Sequence, residues 1–118
     1  MDDTESHLRK FHKELSAGIV SLVLLGVLAR ARTPMYGYQI VKRLEQTGEG
    51  VLSDKQSALY PVLRNLAAAG LLDSEVEPSV TGPPRRYYRI TPLGRRVLRE
   101  WSLAWIATRD FVNTVLED

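Results

Sequence analysis

A short turn followed by a strand rich in arginine and tyrosine constrains the fold of this 118-residue chain more than any other feature. The turn and strand read GPPRRYYRIT and occupy residues 82–91, and a helix-forming stretch, residues 57–66, precedes them. An ordinary surface hairpin has no reason to gather so much positive charge beside aromatic rings. A helix followed by a hairpin with a cationic tip suits a DNA groove and its flanking phosphates. This order predicts a winged helix-turn-helix protein.

The positive charge is unevenly distributed along the chain. The formal net charge is only +2, yet six arginines and no acidic residue lie between Gly82 and Arg99. A basic stripe on a nearly neutral protein is typical of a surface that faces phosphates. The alternative interpretation is an arginine-rich surface that only keeps the protein soluble.

Composition argues against catalysis. The chain has no cysteine, which excludes disulfides and thiolate metal sites. Its two histidines, His7 and His12, do not share a helical face, and we expect both to be solvated surface residues. There is also no glycine-rich phosphate loop and no pair of carboxylates on one face, so an enzyme is the least favoured class. No metal or cofactor is expected.

The longest apolar run predicts a buried helix. Residues 17–29 are 13 apolar or small residues flanked by charges, whereas roughly 20 are needed to span a bilayer. The run begins after an acidic leader, which does not fit a signal peptide. We therefore expect a cytoplasmic protein without a membrane segment.

Periodicity and turn signals predict a mainly α fold with a small β-hairpin. The expected winged helix-turn-helix domain covers residues 1–91, and the expected dimerisation helix covers residues 92–118. Gly70 is expected to end the third helix, and Thr91-Pro92 to start the last one. The expected helices are 6–31, 36–46, a third from a capping box at Ser53 and Gln56 or from near Ser57, and 92–116; the strands are 71–76 and 85–90. Pro61 leaves open whether the third helix is kinked or begins late.

Two apolar surfaces exceed what one small domain covers. The second half of the first helix is apolar almost all round, and the last helix carries an apolar stripe with two tryptophans. Dimerisation is the simplest way to bury both. The residues expected in the dimer interface are Leu15, Ile19, Leu22, Leu98, Trp101, Trp105, Phe111 and Val112.

The start of the third helix is expected to read DNA bases. In a helix-turn-helix, the N-terminal residues of the second helix of the motif meet base edges. Here these are Lys55, Gln56 and Ser57; glutamine suits adenine and lysine suits guanine. Tyr60 and Arg64 follow on the same helix, and a half-buried core position is an equal alternative for Tyr60.

Other candidates are expected to hold the DNA backbone. Arg85 and Arg86 lie at the strand entry, where arginine reaches the minor groove or its phosphates. Tyr36 and Tyr38 begin the second helix and suit phosphate contacts. Tyr87 and Tyr88 point to opposite faces of their strand, so one of the two is expected in the core.

Several segments resemble the PadR family of bacterial transcriptional regulators, named for control of phenolic acid decarboxylase. These segments are YGYQI at 36–40, LYPVL at 59–63 with Leu66, GLL at 70–72, and GPPRRYY at 82–88 with Thr91, Gly94 and Arg95. The resemblance covers about residues 19–101 in the family's order and spacing. Short members are homodimeric repressors with one C-terminal dimerisation helix.

The resemblance also implies roles for individual residues. It implies that Tyr36, Tyr60, Gly82 and the Arg85-Arg86 pair face double-stranded DNA, and it makes Pro61 an expected feature. Members commonly carry a glycine, often after a glutamate, where residues 56–58 read QSA, which puts the base preference in doubt.

The two tryptophans leave two interpretations open. Trp101 and Trp105 lie on one face, and a two-fold axis nearby would bring four indoles together. They form either plain dimer core or a slot for a flat ligand. Some short PadR members bind planar aromatic drugs between such tryptophans, which implies a planar aromatic inducer.

The expected function is sequence-specific DNA binding by a homodimeric repressor that a small-molecule inducer releases from its operator. The alternative is a winged-helix module that binds a protein partner and does not read DNA.

Overall fold

The computed structural model describes residues 3–47 and 56–117. Three antiparallel strands form one small sheet in the order β1-β3-β2, and helices supply the rest of the fold. In chain order the elements are α1 (Asp3–Arg30), β1 (Met35–Tyr36), α2 (Gly37–Thr47), α3 (Gln56–Ala68), β2 (Leu72–Glu77), β3 (Arg85–Ile90) and α4 (Pro92–Leu116). The predicted mainly helical fold with a β-hairpin is confirmed, and only the two-residue β1 was not foreseen.

The second half of α1 forms the centre of the core. Leu24 and Leu25 are fully buried, and Val20 and Leu28 nearly so. Among the described residues, α1 is also the one helix that is long and apolar enough to cross a membrane. Its buried residues are Ser16, Val20, Leu24, Leu25 and Leu28, and 28% of its apolar window is buried within the fold.

The remaining core residues come from both helices of the helix-turn-helix and from the sheet. α2 and α3 each bury an apolar stripe at helical spacing, as their sequences predict. The buried side chains beyond α1 are Met35, Ile40, Val41, Leu44, Leu59, Leu63, Leu66, Leu71, Leu72, Tyr88 and Ile90. This core fixes α3 against the base of the hairpin.

The C-terminus of α3 ends in a glycine cap, as predicted. Gly70 has a φ of 82°, which favours glycine. Its N–H donates to the Ala67 carbonyl and the Leu71 N–H donates to the Leu66 carbonyl, each at 3.0 Å, which is the Schellman pattern. Pro61 lies inside the helix, and its missing N–H cannot bond the Ser57 carbonyl. The capping residue expected at Ser53 falls outside the part of the chain that is described.

Thr91 joins the hairpin and α3 to the start of α4. Its hydroxyl donates to the Gly70 carbonyl at 2.7 Å and to the Leu71 carbonyl at 3.1 Å, and it accepts the Gly94 N–H at 2.9 Å. A Cβ at Gly94 would overlap the Leu71 carbonyl oxygen, so only glycine allows this close approach. Thr91 is therefore the predicted N-cap, and it also ties α4 to the end of α3.

Candidate nucleic-acid interface

A concave surface of about 350 Å³ lies where α3, the start of α2 and the start of β3 meet. We call it the wing hollow. The residues that line it are Tyr36, Gly37, Tyr38, Tyr60, Arg64, Arg85, Arg86 and Tyr88. Three are arginines, and none of these lining residues is acidic. The structure thus brings together six residues that the sequence nominates for DNA contact from three separate segments.

Strand pairing positions Tyr36, which lines the wing hollow. Tyr36 on β1 pairs with Tyr87 on β3, and their rings meet edge to face with centroids 5.4 Å apart. The Arg85 guanidinium lies 4.5 Å from the centre of the Tyr36 ring. Cation–π contacts at exposed sites contribute about 0.5–1 kcal/mol, enough to favour one placement of a mobile side chain. Arg85 is therefore preorganised at the rim while its charge stays accessible.

Tyr60 and Gly37 show how closely α2 and α3 approach. Tyr60 is half-buried, packs against the core and also lines the wing hollow. A Cβ at Gly37 would overlap the Tyr60 ring, so the absence of a side chain there makes room for the tyrosine. The two interpretations of Tyr60 are compatible in this geometry.

The two tyrosines of β3 lie on opposite faces, as predicted. Tyr88 is only 4% exposed, whereas Tyr87 is half-buried on the outer face of the sheet. Burial raises the pKa of the Tyr88 hydroxyl, while the positive charges of Arg86 and Arg64 lower it by less. The hydroxyl therefore stays protonated at neutral pH.

The six arginines do not form one stripe, and that prediction is wrong. Side chains alternate between the faces of a strand, so neighbours in sequence separate in space. Arg86 donates to the Ser74 hydroxyl at 3.0 Å on one face, while Arg89 lies on the other. Arg85 shares the register of Arg89, but its guanidinium lies over the Tyr36 ring and lines the wing hollow. The outer face, with Arg89, also carries Asp73, Glu75 and Glu77 on β2, in register with Arg89, Tyr87 and Arg85. The three remaining arginines, Arg95, Arg96 and Arg99, are exposed on α4.

Four predicted DNA contacts lie outside the wing hollow as it is described. Lys55 precedes the described part of α3. Gln56 and Ser57 are in its first turn, but their side chains are not described. Gly82 is exposed in the wing loop, with a φ of 116° that favours glycine. The roles of these four residues stay predictions.

The two long helices leave a second, apolar concavity. A groove of about 400 Å³ separates α1 from α4 and is lined by Leu15, Ile19, Leu22, Trp101 and Trp105, all predicted interface residues. Leu98 packs partly against the core. Phe111 and Val112 are exposed near the end of α4.

Sequence reasoning missed part of this exposed apolar surface. Leu8 and Phe11 on α1 are more than half exposed, as is Leu103 on α4. The spacing of Leu8, Phe11 and Leu15 by three and four continues the stripe toward Ile19, and this was the available signal.

His12 corrects one expectation. His7 is exposed as predicted, but His12 is half-buried and its Nδ1 has no hydrogen-bond partner within the described ranges. It lies one helical turn before Ser16, which is fully buried, so the two share the inward face of α1. Residues 3–47 and 56–117 contain no cluster of three or more potential metal ligands.

A winged helix-turn-helix fold with a cationic hollow between α3 and the wing is typical of DNA-binding proteins. The match to a family model is more specific. Residues 24–100, more than half of the chain, match the transcriptional regulator PadR-like family. The chain belongs to this family of DNA-binding transcriptional regulators, which are not enzymes, and the resemblance drawn from its motifs is confirmed.

Individual relatives agree with this assignment. A PadR family regulator from Eggerthella lenta has a crystal structure with a TM-score of 0.80 and 36% identity, covering 97% of this chain and 96% of that one. A PadR-like regulator from Bacillus cereus gives a TM-score of 0.72 and 25% identity over 89% and 98% of the two chains. Transcriptional regulator Rv3488 of Mycobacterium tuberculosis is 40% identical over 70 residues, which are 59% of this chain and 62% of that one.

Proposed function

We propose that this regulator is a homodimeric repressor that binds a pseudo-palindromic operator and is released by a planar aromatic inducer. The observation that carries the DNA-binding part is the wing hollow. Three arginines from α3 and β3 and three exposed or half-buried tyrosines converge there, and none of its described lining residues is acidic. Such a surface attracts the phosphate backbone and offers hydroxyl donors to it.

The proposed division of labour follows the chain. Residues 1–91 form the DNA-binding domain, and residues 92–118 form the dimerisation helix. The N-terminal turn of α3 enters the major groove, where Lys55, Gln56 and Ser57 read base edges. Arg85, Arg86 and the wing tip at Gly82 hold the flanking minor groove or its phosphates.

The dimer is supported by the apolar side chains that α1 and α4 leave uncovered. Phe111 is 69% exposed, and Trp105 and Val112 are each exposed by about two fifths. A two-fold interface uses the same patch on both subunits, so the exposed side chains of each subunit would cover those of the other. It would place two recognition helices about 34 Å apart, one turn of DNA.

The inducer site is proposed at the groove between α1 and α4. Trp101 and Trp105 line it together with Leu15, Ile19 and Leu22. A ligand there lowers DNA affinity only if it binds more tightly to the dimer geometry that does not fit DNA than to the geometry that does. A planar phenol or aromatic cation should quench tryptophan fluorescence saturably, and Trp105→Phe should reduce the quenching. No quenching across such compounds would mean that the two indoles are dimer core.

The alternative function is that of a winged-helix module that binds a protein partner and does not bind DNA. The two functions differ in their response to salt, since only phosphate contacts release counterions. The proposed location of this repressor is the cytoplasm, where it reaches its operator. The deciding measurement is affinity for the DNA upstream of the protein's own gene, against a scrambled duplex, over a range of salt concentrations.

The double variant Arg85→Ala, Arg86→Ala tests the wing hollow directly. It should weaken binding to both duplexes and reduce the slope of log K against log salt by about 1.8, or 0.9 for each lost phosphate contact. The matched control is Arg96→Ala, Arg99→Ala on α4, which removes the same charge and should leave affinity nearly unchanged. Unchanged affinity in the wing variant would refute the assignment of the wing.

A further inference from the structure

A second cationic concavity shares the lining residues Tyr36 and Tyr38 with the wing hollow. It has a volume of about 360 Å³ and is formed by the segment before β1 and one face of α2. We call it the α2 hollow. Its polar lining includes Arg32, Gln39, Lys42 and Arg43, and none of its described lining residues is acidic. The sequence analysis did not nominate any of these four residues for DNA contact.

The polar groups of the α2 hollow suit an anionic oxygen. The three cationic side chains are all exposed. Gln39 accepts the Tyr36 N–H through Oε1 at 3.1 Å, an orientation that leaves its amide nitrogen as a donor. Lys42 Nζ lies 5.5 Å from the centre of the Tyr38 ring, which favours a position beside the tyrosine.

Among the described residues, the Glu45 carboxylate lies close to this set. Lys42 Nζ is 3.9 Å from a Glu45 carboxylate oxygen, and both side chains are about half exposed. Solvent screens a pair of this kind, so it does not compete strongly with a phosphate. Glu45 itself does not line the hollow.

The two hollows are neighbours that share two lining residues. Tyr36 and Tyr38 line both, and the other lining residues include Arg32, Lys42 and Arg43 in the α2 hollow and three arginines in the wing hollow. The outer sheet face is different, because its concavity of about 390 Å³ is lined by Asp73, Glu75 and Glu77 with only one arginine, Arg89. DNA is therefore favoured on one side of the winged domain.

We propose that the α2 hollow is a second phosphate-binding site, which holds the DNA backbone next to the stretch reached by the wing hollow. This inference rests on the proposed DNA-binding function and adds to it. It assigns Arg32, Gln39, Lys42 and Arg43 to backbone contacts that position the protein without reading sequence. The first helix of a helix-turn-helix crosses the backbone, which agrees with this placement.

The test is a salt titration of the full-length triple variant Arg32→Gln, Lys42→Gln, Arg43→Gln on the upstream duplex and the scrambled one. Affinity should fall by a similar factor for both duplexes, because phosphate contacts carry no sequence information. The slope of log K against log salt should decrease by about 2.7, which is 0.9 for each of three contacts. The double variant Arg32→Gln, Lys42→Gln keeps Arg43 and should lose about 1.8, and it replaces the triple variant if that one is unfolded by circular dichroism.

The control removes the same charge elsewhere. Arg89→Gln, Arg96→Gln, Arg99→Gln alters the outer sheet face and α4, and its slope should stay within about 0.5 of the parent protein's, less than the 0.9 of a single contact. If the parent protein binds DNA with a steep slope and the α2 variants keep that slope, this inference is overturned while the repressor stands. A loss confined to the upstream duplex would overturn it as well, since it would mean base reading. If the parent protein itself shows no salt-dependent binding, the proposed function fails and the inference with it.

Discussion

The winged part of the molecule and the long-helix part bury their apolar residues very differently. In the winged part, Leu24, Ile40 and Leu63 come from three helices and have no exposed surface. In the long-helix part, Phe11 on α1 is 57% exposed and Phe111 on α4 is 69% exposed. The first region is a completed core within one chain, and the second is an apolar surface that stays exposed in the single chain.

The surfaces of the two parts also differ in polarity. The wing hollow is lined mainly by arginines and tyrosines, whereas half of the residues that line the groove between α1 and α4 are leucine, isoleucine or tryptophan. Cationic hollows suit a phosphate polymer, and apolar ones suit another protein surface or a flat ligand. The cationic and the apolar concavities thus lie in different parts of one short chain.

The largest expected effects come from a pair of truncations, one in each region. Leu63→Ala removes a fully buried side chain and should lower the free energy of unfolding by about 2–5 kcal/mol. Phe111→Ala removes a side chain that the proposed second subunit would cover, and full burial of such a group contributes about 1.5–3 kcal/mol. Thermal unfolding at several protein concentrations measures both.

The concentration dependence separates the two variants. Phe111→Ala should weaken association, so its melting temperature should be lower than the parent protein's at a given concentration, and its sedimentation coefficient should fall to that of the monomer at a higher protein concentration. Leu63→Ala should keep the parent's association at concentrations where it is folded. Val80→Ala is the control, since Val80 is fully exposed in the wing loop and its truncation should change stability by less than about 0.5 kcal/mol. An unchanged association constant in Phe111→Ala would contradict the proposed interface.

The same contrast explains how far the sequence predicts this structure. The four helices and the hairpin were predictable because apolar spacing, Gly70 and Thr91-Pro92 mark them locally. β1 was not, because two residues are too few to show a period and only pairing with Tyr87 and Tyr88 defines the strand.

The distribution of charge on the surface was less predictable than the helices and strands. The expected arginine stripe fails because strand alternation and the acidic residues of β2 are invisible in a local charge count. Arg32, Lys42 and Arg43 were missed for the opposite reason, since they are ordinary surface residues until the turn before β1 places them beside Tyr36 and Tyr38. Tertiary contacts decide both cases, and a single sequence does not display them.

A smaller effect is expected at Thr91, where the two regions join. Thr91→Ala removes the N-cap of α4 and its bonds to the Gly70 and Leu71 carbonyls, and loss of such a cap costs about 1 kcal/mol. Thr91→Ser keeps the hydroxyl and should retain most of the stability, measured by urea unfolding. Thr114→Ala, which removes an exposed hydroxyl bond to the Asp110 carbonyl within α4, is the control. Because the cap fixes the start of α4 against α3, Thr91→Ala should also speed amide exchange in the first turns of α4 more than in α2. Exchange that is unchanged there would mean that Leu98 and Trp101, packed on the core, hold α4 in place without the cap.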